Sequence, residues 1–402
     1  MPGQRHDLVR QDLIAFAVIG AVIAGTLLSA RPIPAARPAA AITIHLPVVE
    51  QPVSSLAPDF GSLDDDIGSV VVISWRGGEI NPGVRSLLDE GRVGGVLLFA
   101  SNFSGPAGLA SLTDRLQALT ASACLDHPIL VMLDEEGGQV TRVQAAFAPP
   151  SQLIAGSGGA DHVRALERAS GAGLHQLGVG LNLAPVADVR TNSGDQIILD
   201  RSFGANPTIV APLVAAAVQG LHDGGVGATL KHFPGLGGAA GDPHVAIPTD
   251  YESEAQWQRV QMPAFQAGIA AGADAVMTTA VYVPGLGGGT TPAMFSAPVV
   301  SRLRTQLGFG GVIVTDSLSM GGVGARYSLP EAAVAAFAAG NDMVLLGNGD
   351  PGYEAEAMAA VRAAVMSGRL DRAALHESAK RVNHLRDRWG RRFVHCRAVK
   401  AT

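Results

Sequence analysis

The stretch Gly311-Val312-Ile313-Val314-Thr315-Asp316-Ser317 places an almost uncharged, β-branched run directly before an acidic residue. Such a run is typical of a parallel strand that is covered on both faces, because these strands are nearly continuous in apolar residues. In folds built from parallel strands, the catalytic side chains lie where the strands end. The stretch therefore predicts a buried strand over Gly311–Val314, with Asp316 just beyond its carboxyl end. The alternative is that Asp316 caps a helical segment that begins at Ser317.

Seven further apolar runs are similar to this one, and helical stretches lie between them. The runs are Ser69–Ser74, Val93–Phe99, Ile129–Leu133, Val179–Ala184, Gly227–Leu230, Ala273–Met277 and Asp342–Leu346. Helices are predicted after Pro106, Ala160, Pro207, Ser253, Ala297 and Pro330. Eight strand-and-helix units favour an α/β fold with a single (β/α)8 barrel of the TIM type. An open, doubly wound sheet is the alternative, but the glycine-rich phosphate-binding turn expected after its first strand is missing.

The composition supports a large buried core and no nucleic-acid partner. The chain has 402 residues, of which 47% are hydrophobic and 16% are charged, and these values exclude a disordered protein. With a net charge of −6, the chain has no global basic field that would attract nucleic acid. Cys124 and Cys396 are too few for a disulfide framework and lack metal-ligand spacing, and whether they pair stays open.

The amino terminus is predicted to be an export or anchoring segment. Arg5 and Arg10 precede an uncharged run, Leu13–Ala30, which is just long enough to span a membrane. We favour an uncleaved anchor over a cleaved signal, because the Ala-x-Ala at 39–41 lies far from this run. The basic end would stay in the cytoplasm, so the rest of the protein would be extracytoplasmic, either membrane-anchored or secreted to the cell envelope.

Three segments are predicted along the chain. Residues 1–30 form the membrane anchor or signal segment, residues 31–60 form a Pro/Ala-rich linker, and residues 61–395 form the barrel. The prolines of the linker favour an extended spacer, because they fix the backbone and prevent helix formation.

Polar side chains gather at the predicted strand ends, although few residues of the chain are charged. Asp134 follows the third strand, Asp188 and Arg201 come after the fourth, and Lys231 and His232 follow the fifth. Because the carboxyl ends of the strands meet on one rim of a barrel, we expect these side chains to surround one pocket. The alternative is that individual members of this set cap the helices that follow.

The loop after the fifth strand, residues 231–244, is rich in glycine, so we expect it to be mobile and able to close over a substrate. It ends in Asp242-Pro243-His244, where a turn is needed to join the first and last side chains. A neighbouring aspartate orients an imidazole and makes it more basic, which suits proton transfer near neutral pH. The alternatives are a solvated loop histidine, or a metal site formed by His232, Asp242 and His244 that lacks a third histidine at a strand end.

The order and spacing of these residues match a known pattern. The pattern is Lys-His-Phe-Pro-Gly-His-Gly, four spacer residues, then Asp-Ser-His. The loop has identical spacing and differs from the pattern at two positions. Further matching blocks lie, in chain order, at 94–99, 134–142, 182–188, 200–203, 307–320 and 339–343. In these blocks the chain closely resembles glycoside hydrolase family 3 β-N-acetylglucosaminidases of the peptidoglycan-recycling type. The resemblance covers about residues 65–390, essentially the whole predicted barrel.

The resemblance implies a retaining, two-step hydrolysis that needs no metal and no cofactor. Asp316 would attack the anomeric carbon and form a glycosyl-enzyme. His244, paired with Asp242, would protonate the leaving oxygen and then activate water. Retaining glycosidases usually use two carboxylates about 5 Å apart. Because a histidine would replace one of them here, that distance rule does not transfer directly.

The resemblance also implies a set of sugar-binding residues, namely Asp134, Arg142, Arg201, Lys231 and His232. A carboxylate can accept hydrogen bonds from sugar hydroxyls, and the cationic side chains can donate to hydroxyl or acetamido oxygens. The alternative is that Asp134, Arg142 and Lys231 form ordinary ion pairs on the rim of the barrel.

Three residues depart from the family's pattern. Leu236 replaces a histidine of the loop, Pro243 replaces the serine between the aspartate and the histidine, and Ala280 stands where many relatives have a histidine. We expect Leu236 to alter loop packing or leaving-group contacts, and Pro243 to stiffen the loop or misplace the pair. Because Asp242, His244 and Asp316 are all present, we still expect activity.

The activity implied by the resemblance is that of a retaining exo-β-N-acetylglucosaminidase, a β-N-acetylhexosaminidase, acting on cell-wall glycans. Its partners would be an N-acetylglucosamine-containing glycan or muropeptide, and the membrane if residues 13–30 are retained. A phosphorylase is an alternative, because a histidine does not repel an incoming phosphate as a carboxylate would. A catalytically silent, membrane-tethered glycan-binding barrel and a metal-dependent hydrolase are the others.

Overall fold

The computed structural model describes residues 60–122, 125–195, 197–347 and 349–391. The predicted anchor, the linker up to residue 59 and both cysteines lie outside these residues, so the statements about them stay predictions. Within the described ranges, no helix combines the length and the apolar character that a membrane span requires.

Eight parallel strands close into a barrel, in which each strand pairs with its neighbours in chain order and the last pairs with the first. The strands are β1 (Val71–Ile73), β2 (Gly95–Leu97), β3 (Leu130–Leu133), β4 (Leu181–Asn182), β5 (Gly227–Phe233), β6 (Ala275–Thr278), β7 (Val312–Ser317) and β8 (Met343–Leu345). The predicted (β/α)8 barrel is confirmed, and the open sheet is excluded because β8 pairs with β1.

One α-helix precedes β1, and one or two α-helices follow each strand. They are α1 (Leu63–Ser69), α2 (Pro82–Asp89), α3 (Gly105–Ser122), α4 (Gln152–Gly156), α5 (Ala160–Gln176), α6 (Pro207–Gly224), α7 (Glu254–Val260), α8 (Met262–Ala270), α9 (Ala297–Thr305), α10 (Gly321–Gly324), α11 (Leu329–Ala339), α12 (Pro351–Met366) and α13 (Arg372–Trp389). The six predicted helix starts correspond to α3, α5, α6, α7, α9 and α11. The sequence interpretation did not assign the other seven, which are α1, α2, α4, α8, α10, α12 and α13. Of these, α1 precedes the first strand, α12 and α13 follow the last one, and α4, α8 and α10 each share a connection with a predicted helix. The connection that contains α2 showed no clear helical pattern.

The strand boundaries differ from the predicted ones, because the apolar runs continue into buried connections. Ser69 ends α1 and does not start a strand, and β4 is only two residues long within the predicted run Val179–Ala184. In the other direction, β7 extends to Ser317. Burial alone therefore does not mark where strand pairing ends.

Local sequence explains where two of the longer helices begin and where one of them ends. Asn206 caps α6 by accepting from the Thr208 amide, and Gly225 ends it in the left-handed conformation, with φ of 92°. At α11, Ser328 and Glu331 form a reciprocal capping box.

The rim of the barrel is irregular at the two strands that carry predicted site residues. The pairing of β5 with β6 shifts register between Leu230 and Phe233, and that of β7 with β8 shifts between Val314 and Ser317. Such irregularities change the direction of side chains and are common next to active sites. Below the rim, Phe233 packs edge-on against Trp257, whose indole nitrogen donates to the Pro234 carbonyl at 2.7 Å and thereby fixes the start of the following loop.

Candidate active site

A cavity of about 450 Å³ opens at the carboxyl ends of the strands. It is lined by most of the residues predicted from sequence, namely Asp134, Arg142, Arg201, Lys231, His232, His244 and Asp316. The remaining predicted residue, Asp242, contacts His244 directly. The structure therefore brings the whole predicted set to one place, although the role of each residue stays a prediction.

Asp316 lies at the end of β7, and two donors orient its carboxylate. The Thr279 hydroxyl donates to Oδ2 at 2.8 Å, and the Ser317 amide donates to Oδ1 at 2.8 Å. No helix begins at Ser317, because α10 starts at Gly321 with Met320 as its N-cap. The alternative that Asp316 is a helix cap is therefore wrong. Its role as a nucleophile stays a prediction, with which an oriented carboxylate at a strand end is compatible.

Asp242 and His244 are joined by the turn that the sequence requires. The carboxylate Oδ1 of Asp242 accepts from the His244 amide at 2.8 Å and lies 2.7 Å from Nδ1 of the ring. Because a carboxylate only accepts, Nδ1 carries a proton and Nε2 is the nitrogen left to exchange a proton with a substrate. The His244 side chain is 62% exposed, so a ligand can reach it.

A buried cluster of opposite charges forms the wall of the cavity between β3 and β5. The ammonium group of Lys231 lies 2.7 Å from Asp134 and 2.6 Å from Glu136. Glu136 also accepts from Arg201, with the Nε contact at 2.7 Å and the Nη2 contact at 2.9 Å. Arg142 lies 3.5 Å from the other oxygen of Asp134. The ion pairs considered as an alternative thus exist, and the same groups face the cavity.

The charges of this cluster stabilise one another. Burial alone would raise the pKa of Asp134, but Lys231 and Arg142 outweigh that effect and lower it. Burial would likewise raise the pKa of Glu136, whereas Lys231 and Arg201 hold it well below its usual range. Both carboxyl groups are therefore ionised at neutral pH, and Asp134 can accept hydrogen bonds from sugar hydroxyls.

Glu136 is a site residue that the sequence interpretation did not assign. Its side chain is 1% exposed and connects two predicted sugar-binding cations, Lys231 and Arg201. Its position in the run Asp134-Glu135-Glu136 was the available indication, but nothing in the sequence distinguishes which of three consecutive acids faces the cations.

Glu135, the middle acid of the same run, points away from the cluster and supports the following turn. Its Oε2 accepts from the backbone amides of Arg142 at 2.8 Å and Val143 at 2.9 Å. Burial raises the pKa of this carboxyl group to about 7, although the two amides act in the opposite direction. Glu135 therefore fixes the backbone that carries Arg142 into the cavity.

Asp188 orients His232. Its Oδ2 lies 2.7 Å from Nδ1 of the ring, and its two oxygens each lie 3.2 Å from the His232 amide. Arg201 approaches the other ring nitrogen, Nε2, at 3.3 Å. This arrangement fits a neutral ring with the proton on Nδ1, which turns Nε2 towards Arg201 and the cavity. The sequence placed Asp188 at a strand end but gave no partner for it.

The first part of the loop 231–244 is packed, in contrast to the mobile loop expected from its glycines. A Cβ atom at Gly237 would lie 2.2 Å from the Val189 carbonyl oxygen, and one at Gly238 would lie 2.5 Å from Asp250. These glycines therefore permit close packing. The Lys231–His232 peptide bond in this segment is cis.

The three departures from the expected pattern are accommodated within the fold. Leu236 is 1% exposed, and its amide donates to Asp188 at 2.7 Å. Ala280, two residues beyond the end of β6, is fully buried. Pro243 lies in the turn that joins Asp242 and His244, so the proline does not prevent the hydrogen bond between them.

The residues of the metal interpretation are divided between two separate pairs, His232 with Asp188 and His244 with Asp242. Among the residues that the structure describes, no group of three or more His, Cys, Asp or Glu side chains is arranged to hold a metal ion.

Known proteins are similar to this chain in sequence and in fold. The model of the glycosyl hydrolase family 3 N-terminal domain matches residues 62–385. A beta-hexosaminidase of Xanthomonas oryzae pv. oryzae is 36% identical over 323 residues, which are 76% of this chain and 90% of that protein. A beta-hexosaminidase of Methylobacillus flagellatus is 38% identical over 266 residues, which are 64% of this chain and 74% of that protein.

Solved structures agree with the family match. The family 3 β-N-acetylglucosaminidase from Paenibacillus sp. str. FPU-7 has a TM-score of 0.78 and 34% identity, covering 83% of this chain and 64% of that one. The β-N-acetylhexosaminidase from Beutenbergia cavernae has a TM-score of 0.74 and 32% identity, covering 81% of this chain and 98% of that one. The chain belongs to glycosyl hydrolase family 3 and is a glycoside hydrolase.

Proposed function

We propose that the protein is a retaining exo-β-N-acetylglucosaminidase, a β-N-acetylhexosaminidase that releases terminal N-acetylglucosamine through a covalent glycosyl-aspartate. The observation that carries this proposal is that Asp316 and the pair Asp242–His244 meet at one cavity. The beta-hexosaminidases and β-N-acetylglucosaminidases to which the chain is similar support the choice of sugar.

In the first step, a carboxylate oxygen of Asp316 attacks the anomeric carbon as the bond to the leaving oxygen breaks. Protonated His244 transfers the proton on Nε2 to that oxygen, so the aglycone leaves as a neutral alcohol. The carboxylate of Asp242 stabilises the imidazolium before the transfer and holds the ring in place. The donors from Thr279 and Ser317 fix the direction from which Asp316 attacks.

In the second step, neutral His244 accepts a proton from water through Nε2. The water oxygen attacks the anomeric carbon, the ester bond to Asp316 breaks, and the sugar leaves with its original configuration. The same imidazole thus serves first as acid and then as base, and the enzyme returns to its starting protonation state.

The buried cluster provides the recognition of the sugar. Asp134 accepts from hydroxyl groups, while Lys231, Arg201 and Arg142 donate to hydroxyl or acetamido oxygens. His232 closes the wall of the cavity between these cations. Because the charged groups are already paired with one another, they are ordered before the sugar arrives.

The natural substrate that we propose is an N-acetylglucosamine-containing glycan or muropeptide of the cell wall. The apolar run Leu13–Ala30, preceded by Arg5 and Arg10, supports a location at the cell envelope, where such glycans occur. This proposal predicts that an added protease cleaves the barrel in intact cells, whereas a cytoplasmic control protein stays protected.

The activity is tested with the full-length protein and aryl N-acetyl-β-glucosaminides. We expect the wild type to release the phenol, and Asp316→Asn to release it at least about 10³-fold more slowly. The thermal midpoint of the variant should be unchanged. Equal release by both proteins would contradict the enzyme and favour a silent glycan-binding barrel. Adding inorganic phosphate should not produce a sugar 1-phosphate, and its appearance would favour the phosphorylase.

The covalent intermediate is tested separately. A fluorinated N-acetylglucosaminyl fluoride, whose glycosyl-enzyme hydrolyses slowly, should increase the protein mass by one sugar. Peptide mapping should then locate the sugar on Asp316. An adduct on another residue would overturn the assignment of the nucleophile without affecting that of the family.

A further inference from the structure

Two consecutive glycines after the nucleophile strand form the seat on which the His244 loop rests. Gly321 and Gly322 begin α10, five and six residues after Asp316. The Gly322 amide donates to the Pro243 carbonyl at 3.2 Å, so the loop supplies an acceptor for an otherwise unpaired donor at the start of this helix. Gly321 also lines the cavity together with His244.

Side chains at these two positions would collide with the loop backbone. A Cβ atom at Gly321 would lie 2.3 Å from the His244 carbonyl oxygen. One at Gly322 would lie 2.6 Å from the Pro243 carbonyl oxygen and 2.8 Å from the Ile247 amide nitrogen. Neither residue has a positive φ, which would itself favour glycine. Glycine is therefore needed at these positions because the backbone of the loop lies so close.

The position of His244 depends on this contact more than on packing around its ring. The side chain is 62% exposed, and the hydrogen bonds of its ring and amide to Asp242 lie within the same loop. Such bonds set the orientation of the imidazole within the loop but not the distance of the loop from Asp316. The contact with Gly321 and Gly322 connects the loop to the chain segment that follows Asp316.

We propose that Gly321 and Gly322 are positioning residues that set the distance between His244 and the sugar bound over Asp316. The inference rests on the proposed function, because it assigns the seat to the acid/base step. A methyl group at Gly321 must move the His244 carbonyl by roughly 1 Å to reach ordinary contact. A displacement of that size is enough to cost about 10²-fold in a proton transfer that requires close alignment.

The test compares Gly321→Ala with Gly324→Ala in the full-length protein. Gly324 lies in the same short helix, and a Cβ atom there would have no neighbour within 4 Å, so the control matches in helix propensity. With an alkyl N-acetylglucosaminide, whose leaving group needs a proton, we expect kcat/KM to fall about 10²-fold in Gly321→Ala and not in Gly324→Ala. With a dinitrophenyl leaving group, which departs without a proton, we expect less than about a threefold loss. Equal losses on both substrates would overturn the proposal, because they indicate blocked binding.

A double-mutant cycle with His244→Ala separates positioning from general damage. If Gly321 acts through His244, then adding Gly321→Ala to His244→Ala should cost nothing further, and a further loss would contradict the proposal. If His244→Ala itself shows no difference between the two leaving groups, the proposed function fails. If only the glycine variant lacks that difference, the positioning role of Gly321 is contradicted, whereas the proposed function is not.

Gly322→Ala gives a second measurement on the same seat, and we expect the same dependence on the leaving group. Gly321 and residues 244–246 are exposed, so the loop can move without unfolding the barrel. Failure of either variant to fold would therefore also overturn the proposal, because the glycines would then support the barrel rather than the position of the loop.

Discussion

Glu136 lies 2.6 Å from the ammonium group of Lys231, and both side chains are almost completely buried. The same carboxylate accepts two hydrogen bonds from Arg201. The Glu136 carboxylate thus holds Lys231 and Arg201 together. Without it, these two cations would repel each other, because water is largely excluded from this place. The sugar-binding wall of the proposed active site depends on this residue, although we do not expect Glu136 to touch the sugar.

Replacing Glu136 with glutamine should destabilise the fold. The change leaves Lys231 and Arg201 buried with one compensating carboxylate fewer, and breaking a buried pair in this way typically costs about 3–5 kcal/mol. We expect the free energy of unfolding in urea to fall by about 3 kcal/mol. Glu377→Gln, which removes an exposed pair with Lys380, is the control and should leave the unfolding curve unchanged. Equal curves for Glu136→Gln and the wild type would show that the cluster does not stabilise the barrel.

Thr279→Val should slow the chemistry while leaving the fold intact. Thr279 is fully buried and donates to Asp316 at 2.8 Å, and valine has nearly the same shape without the hydroxyl group. The carboxylate then keeps the Ser317 amide as a donor but loses the contact that limits its rotation. We expect kcat to fall about 10-fold, with KM within about twofold, in steady-state assays. A large increase in KM with constant kcat would assign Thr279 to substrate binding instead.

The sequence predicts the barrel and the rim more readily than the contacts within the site. Apolar runs show where the strands lie, and the residues that follow them must then meet on one rim. The run Asp134-Glu135-Glu136 shows where this reasoning ends. It follows β3, so the strict alternation of side chains no longer applies, and the three acids point to the cavity, to a backbone turn and to two cations. Nothing in the sequence indicates that Thr279 contacts Asp316, because a buried threonine near a strand end is common.

Pro243→Ser restores the residue that the family's pattern has in the loop, and we expect it to change activity little. Asp242 and His244 are already joined with proline between them, and the Pro243 carbonyl that contacts Gly322 is retained by any residue. We expect kcat/KM within about threefold of the wild type. The free energy of unfolding should fall by at most about 1 kcal/mol, because serine gives the unfolded chain more freedom. A gain of more than tenfold in kcat/KM would show that proline holds the pair away from its working geometry.

Glu167 on α5 should make the stability of the barrel depend on pH. Burial, reinforced by the nearby charge of Glu135, raises the pKa of Glu167 to about 8, and burial raises that of Glu135 to about 7. In the unfolded chain both groups titrate near about 4.3. Between about pH 4.5 and pH 8 the folded protein therefore holds protons that the unfolded chain has released. The resulting stabilisation is complete below this window and is lost as the pH rises through it.

Glu167→Gln removes one of the two groups that hold a proton only in the folded protein, and it does not change the shape of the side chain. The wild type should lose stability between pH 5 and pH 8 with a slope on the order of 1 kcal/mol per pH unit from this group, and the variant should lose less. Urea unfolding at pH 5, 6.5 and 8 measures the difference between the two proteins. Glu356→Gln, at an exposed position on α12, should follow the wild type at every pH. Parallel curves for Glu167→Gln and the wild type would mean that Glu167 is ionised inside the fold, and a cation would then have to lie beside it.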